Sequence, residues 1–127
     1  MSDDEKVPRS AERLVLPGVG AFGACMRELT ARGFDQLVRE RVAEGVPLLG
    51  VCVGMQMLFE ESAEFGLRPG LGLLPGRVRR FETGLHVPQV GWNQVCHRQA
   101  SASTALFDGI EDNSILLFRS LVLLRAN

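Results

Sequence analysis

A short apolar run, Leu48 to Val51, stops at Cys52 and gives way at once to the helix-forming stretch Val53-Gly54-Met55-Gln56-Met57-Leu58-Phe59. Glycines stand two residues either side of the cysteine, at Gly50 and Gly54. This is the nucleophile-elbow pattern with sulfur in place of the serine oxygen. A strand that turns directly into a helix holds the turning residue in a strained backbone conformation, with its side chain on the outside of the bend. Side chains two positions away then collide unless they are very small. A helix that starts behind Cys52 also aims its free backbone N–H groups at the sulfur. A lone cysteine ending a core strand is ordinarily structural. The paired glycines turn the reading toward a reactive thiol.

The bulk properties narrow the setting. A chain of 127 residues is long enough for one domain with a real core, and small for an α/β enzyme. Its net charge of −1, with acids and bases interspersed, carries no electrostatic footprint for nucleic acid or an anionic membrane. Cys25, Cys52 and Cys96 make an odd count without any Cys-x-x-Cys spacing, and Met1–Glu12 has no apolar run of the signal-peptide kind. A reducing, cytoplasmic setting is expected. Neither Pro47–Phe59 nor Ile115–Leu124 reaches the ~18 uninterrupted apolar residues of a membrane span.

Along the chain, residues 1–12 are polar and proline-interrupted and read as a loose leader. Arg13–Leu16 reads as a short buried strand stopped by Pro17. Gly18-Val19-Gly20-Ala21-Phe22-Gly23 then matches G-x-G-x-x-G between a strand and a helix. A dinucleotide site needs an acidic residue after the following strand, and Gly50-Val51-Cys52 offers none. The glycines suit a different task, exposing backbone N–H groups beside a reacting atom. Phe22, Met26 and Leu29 form one helical stripe ending at Gly33; Phe34, Leu37, Val38 and Val42 form a second ending at Gly45. After the elbow, Met55–Glu64 is expected to continue as helix. The glycines and prolines from Gly66 to Gly76 mark a connector without the Gly-Lys-Ser/Thr of a phosphate loop. Arg77–Phe81 and Val87–Val95 read as strands, and the adjacent Cys96-His97 pair lacks metal-ligand spacing. No metal site or cofactor is expected. The order strand, helix, strand, elbow, helix argues for a doubly wound, mostly parallel α/β sheet with its site at the strand C-terminal ends.

Four segments then occur in one order: Leu16–Gly23, Leu49–Gln56, Gly70–Val78 and Val90–Asn93. The series, from about Ala11 to Ile110, closely resembles the glutaminase subunits of imidazole glycerol phosphate synthases, class I glutamine amidotransferases of histidine biosynthesis. The resemblance implies that Cys52 attacks the side-chain amide of glutamine. It implies that the Val53 N–H and one from Gly18-Val19 hold the oxyanion, and that ammonia leaves before a glutamyl thioester on Cys52 is hydrolysed. It further assigns substrate contact to Gln56, Glu64 and Gly20. A (βα)₈-barrel synthase is the implied partner, forming a heterodimer and receiving the ammonia, with Gly91, Trp92 and Asn93 near the interface.

The departures from the family pattern carry expectations of their own. The family chain begins with a further strand and glycine-rich loop and ends with a catalytic His-Pro-Glu segment, neither matched here. The reading is therefore of a single partial amidotransferase domain over residues 1–127, without turnover of its own. His86 and His97 do not match the family histidine. The tail, Ile115–Asn127, is apolar without a clean period where the family has an aromatic strand ending Phe-Val-His-Ser-Tyr-Tyr. Back-translated and read one base later, the tail can give that strand, so a frameshift near Asn113–Ser114 is expected, with an exposed apolar edge as its physical corollary. Two alternatives stay open: a non-catalytic subunit that docks on the barrel partner, and an unrelated cysteine hydrolase with the same elbow.

Overall fold

The computed structural model describes residues 6–81, 89–96, 109–120 and 122–125. The chain forms two compact units, Met1–Arg80 with Val122–Asn127, and Phe81–Leu121.

The first unit opens with α1 (Lys6–Ser10), so the leader is not loose throughout. Pro8 falls in the first turn, where a missing N–H costs the helix nothing. Arg9 reaches Glu40 at 3.3 Å, and Arg41 donates to the Ala11 carbonyl at 2.8 Å, contacts to a later helix that the leader's own composition does not reveal.

β1 (Leu14–Gly18) pairs in parallel with β2 (Leu48–Cys52), in register from Leu14↔Leu48 to Gly18↔Cys52. The strand runs on through Pro17 rather than stopping before it. β1 has a ladder on one side only among the described residues, and an edge strand tolerates the proline's missing donor. Between the two strands come α2 (Phe22–Ala31) and α3 (Phe34–Ala43), joined through Gly33 at φ 69° and followed by Gly45 at φ 86°. Left-handed backbone at both helix ends is what glycine permits cheaply. The stripes legible in the sequence face inward: Phe22, Leu29 and Val38 join Leu16, Val53, Met57, Leu58 and Leu71 in one buried cluster.

The helix after the elbow, α4, spans only Val53–Gln56, where the sequence suggested helix to Glu64. Tertiary hydrogen bonds override the local preference. The N–H groups of Gly70, Leu71, Gly72 and Leu73 donate to the carbonyls of Glu60, Met57, Phe59 and Leu58 at 2.8–3.1 Å. Acceptors that a longer helix would fill from within are filled instead by the Gly70–Leu73 segment. The chain leaves the helix as β3 (Phe59–Ser62), which pairs in parallel with β5 (Leu74–Arg80) and antiparallel with β4 (Arg68–Pro69). β8 (Val122–Arg125) completes the order β4-β3-β5-β8 by pairing antiparallel with β5. The proposed connector from Gly66 to Gly76 thus holds a short strand and a packed segment.

The second unit is an antiparallel ribbon of β6 (Gln89–Val95) and β7 (Ser114–Ser120), in register from Gln89↔Ser120 to Val95↔Ser114. Ile115, Leu116 and Leu117 are all exposed although successive strand residues face opposite ways, so both faces of the ribbon carry uncovered apolar side chains. The α/β class stands, with helices between parallel strands in the first unit. The described strands are distributed over a two-stranded parallel, a four-stranded mixed and a two-stranded antiparallel sheet.

Candidate active site

Cys52 ends β2 and caps α4 with φ 57° and ψ −125°, a conformation sparsely populated by any residue with a Cβ. Its side chain is exposed. The glycines around it are required by close backbone approach. A Cβ on Gly50 would lie 2.5 Å from the Met55 Cα, and one on Gly18 would lie 2.6 Å from the Gly54 nitrogen. A Cβ on Gly54 would overlap the Leu16 carbonyl oxygen. Bare backbone therefore presses the C-terminal end of β1 against the first turn of α4, in contact that no side chain could enter.

That contact gathers the residues singled out from the sequence. Gly18 is the ladder partner of Cys52, and Val19 and Gly20 continue from it. Val19 is 91% exposed, its carbonyl accepts a bond from the Cys25 Sγ at 3.4 Å, and Gly20 turns the chain at φ 103°. Val53 follows Cys52 as the first residue of α4, where a backbone N–H has no intrahelical acceptor. Gln56, half-buried, ends α4 four residues after Cys52.

Glu64 arrives from β3 with a specific contact. Its Oε2 accepts a hydrogen bond of 3.2 Å from the Phe22 N–H, satisfying one free donor at the start of α2. Its own N–H donates to the buried Ser62 hydroxyl at 3.2 Å. Glu64, Ser62, Arg27 and Arg68 line a cavity of about 200 Å³ beside the Ala21-Phe22 turn. A larger, mainly apolar cavity of about 560 Å³ lies along β1 and includes Gly18, Val19, Cys25 and Leu29. Cys52 lines neither cavity and stands on the open rim of the elbow.

Sequence reasoning missed Ser62, Arg27 and Arg68. Their only signal was polarity, which surface positions share. Gly91, Trp92 and Asn93 lie in β6, in the second unit, with Trp92 opposite Leu117 and 69% exposed. His86 and His97 lie outside the described residues. Among the described residues no cluster of three His, Cys, Asp or Glu side chains could hold a metal, and no helix is long and apolar enough to cross a membrane.

A cysteine elbow at the end of a parallel strand, flanked by a glycine loop, marks an α/β protein with an exposed thiol at its strand ends, and comparison with known proteins gives the family. The glutamine amidotransferase class-I profile matches residues 3–119, and the chain belongs to that family. The particular relatives are subunits of one synthase. The chain is 50% identical over 115 residues to imidazole glycerol phosphate synthase subunit HisH of Herpetosiphon aurantiacus, covering 91% of this chain and 53% of that protein. It is 57% identical over 95 residues to subunit HisH of Symbiobacterium thermophilum, covering 75% and 45%. The chain thus spans about half the length of these curated relatives. A crystal structure of a glutamine amidotransferase superposes with a TM-score of 0.69 over 99% of this chain and 61% of the other, at 21% identity, a likeness of fold.

Proposed function

We propose that this chain carries the nucleophile and oxyanion elements of the glutaminase reaction of an imidazole glycerol phosphate synthase, in the cytoplasm. The Cys52 sulfur, as thiolate, attacks the Cδ carbonyl carbon of glutamine. The carbonyl π pair moves onto oxygen, where the N–H groups of Val53 and of the Gly18-Val19 loop stabilise it. Collapse of that adduct breaks the C–N bond, and the nitrogen takes up a proton to leave as ammonia. Water then adds to the γ-glutamyl thioester and releases glutamate with the thiol restored. Gln56 contacts the substrate from the C-terminal end of α4. Glu64 offers a carboxylate to the substrate's α-amino group, and Gly20 adds a substrate contact from its own loop. Proton transfer from the sulfur and to the leaving nitrogen requires a general base within hydrogen-bonding reach.

The ammonia passes to a (βα)₈-barrel synthase, against which Gly91, Trp92 and Asn93 lie in the heterodimer. The observation that supports this reading most is the φ of 57° at Cys52 between two glycines that tolerate no Cβ. Strain of this kind persists where the surrounding structure holds a reacting group in place. Limiting iodoacetamide with peptide mapping tests it. Cys52 is expected to label ahead of Cys25 and Cys96; preferential labelling of either of those refutes it.

A further inference from the structure

Arg39 lies on α3, remote in sequence from the elbow, and its guanidinium bridges two consecutive buried carbonyls. One Nη donates to the Gly70 oxygen at 3.1 Å and the other to the Leu71 oxygen. A planar fork is suited to two adjacent acceptors, and lysine offers only a point charge. The bridged residues are those that stop α4. Leu71 is fully buried in the cluster with Val53 and Met57, and its N–H donates to the Met57 carbonyl at 2.8 Å. Leu73 and Leu74 donate to the Leu58 carbonyl at 2.8 and 2.9 Å. A Cβ on Gly70 would overlap the Phe59 carbonyl oxygen, so this segment packs with no slack against the start of β3, three residues beyond α4.

We propose that Arg39 is a positioning residue for the nucleophile, clamping the Gly70–Leu71 carbonyls so that this segment holds α4, and with it Cys52, in the strained elbow. The proposal rests on Cys52 being the nucleophile. A residue at φ 57° relaxes when the turn that constrains it loosens, and α4, at four residues, has too few internal hydrogen bonds to constrain it alone. Arg39 supplies the missing constraint from behind. Because Cys52 is already exposed, loosening gains it no access and removes only its fixed orientation toward the backbone donors.

The test compares the intact chain with Arg39→Ala, Arg39→Lys and Arg41→Ala. Arg41 sits two residues away on the same helix but donates to Ala11 and not to the clamped segment. Two quantities are read below the unfolding transition: amide exchange at Leu71 and Leu73, and iodoacetamide labelling of Cys52 relative to Cys96 in the same molecule. Arg39→Ala is expected to speed exchange at those two amides by roughly tenfold and to lower the Cys52:Cys96 ratio about fivefold, the scale of a local opening released by lost charged hydrogen bonds. Arg39→Lys falls between Arg39→Ala and the parent, and judges the clamp by itself if Arg39→Ala does not fold. Arg41→Ala leaves both quantities unchanged. An unaltered labelling ratio in Arg39→Ala and Arg39→Lys, or an equal fall in Arg41→Ala, overturns the positioning role. If Cys52 fails to outreact Cys96 in the parent chain, the nucleophile reading fails, and local exchange still decides whether Arg39 clamps the segment.

Discussion

Replacing Cys52 by glycine should make this protein more stable, although the change deletes a side chain and adds chain entropy. At φ 57° and ψ −125° the cysteine occupies backbone space that costs a Cβ-bearing residue about 1–3 kcal/mol. Glycine escapes that cost and loses roughly 0.5–1 kcal/mol through the greater freedom of its unfolded chain. Because the Cys52 side chain is exposed, little burial is lost with it. The net expectation is a gain of up to about 2.5 kcal/mol over the parent, centred near ~1 kcal/mol. Cys52→Ala keeps the Cβ and hence the strain, so it should lie within about 0.5 kcal/mol of the parent. Urea unfolding of the three proteins under identical conditions measures the differences, and each 1 kcal/mol corresponds to roughly 4–8 °C in a thermal melt for a unit of this size. If Cys52→Gly proves no more stable than Cys52→Ala, the elbow is not strained and the argument from its geometry fails.

Other consequences follow from neighbouring contacts. Gly54→Ala would drive a methyl group into the Leu16 carbonyl, so a loss of about 3 kcal/mol or more is expected in urea unfolding, with labelling of Cys52 no longer favoured. Leu71→Ala empties a fully buried position under α4 and should cost about 2–5 kcal/mol. Glu64→Ala leaves the Phe22 N–H without its acceptor; a loss of roughly 1 kcal/mol is expected, together with weaker protection of Cys52 from alkylation by glutamine.

What the sequence revealed, and what it concealed, follows from the range of the forces involved. The elbow was legible because Gly50 must clear the backbone of Met55 just past the turn, a local constraint, and because Gly54, whose bar to a Cβ is the distant Leu16 carbonyl, completes the same short pattern. The stripes of α2 and α3 were legible because helical period and a closing glycine are also local. The length of α4 was not, since Met55–Glu64 has nothing in its own composition to stop a helix. The stop comes from Gly70–Leu73 hydrogen-bonding to Met57–Glu60. Glu64 was assigned by resemblance, but its bond to Phe22 spans 42 residues and had no sequence signal. Arg39 was equally hidden, as an arginine on the polar side of an amphipathic helix looks like any solvated charge. The helical turn at Lys6–Ser10 is held by Arg9–Glu40 and Arg41–Ala11, contacts likewise invisible in a polar leader.

The central claim is that Cys52 attacks the side-chain carbonyl carbon of glutamine. The most direct measurement is covalent trapping by 6-diazo-5-oxo-L-norleucine, a glutamine analogue with an electrophilic centre at the amide position, followed by intact-mass analysis and peptide mapping. The account predicts one adduct per chain, on Cys52, slowed by added glutamine and absent from Cys52→Ala. Adducts spread over Cys25 and Cys96, or trapping indifferent to glutamine, would contradict it.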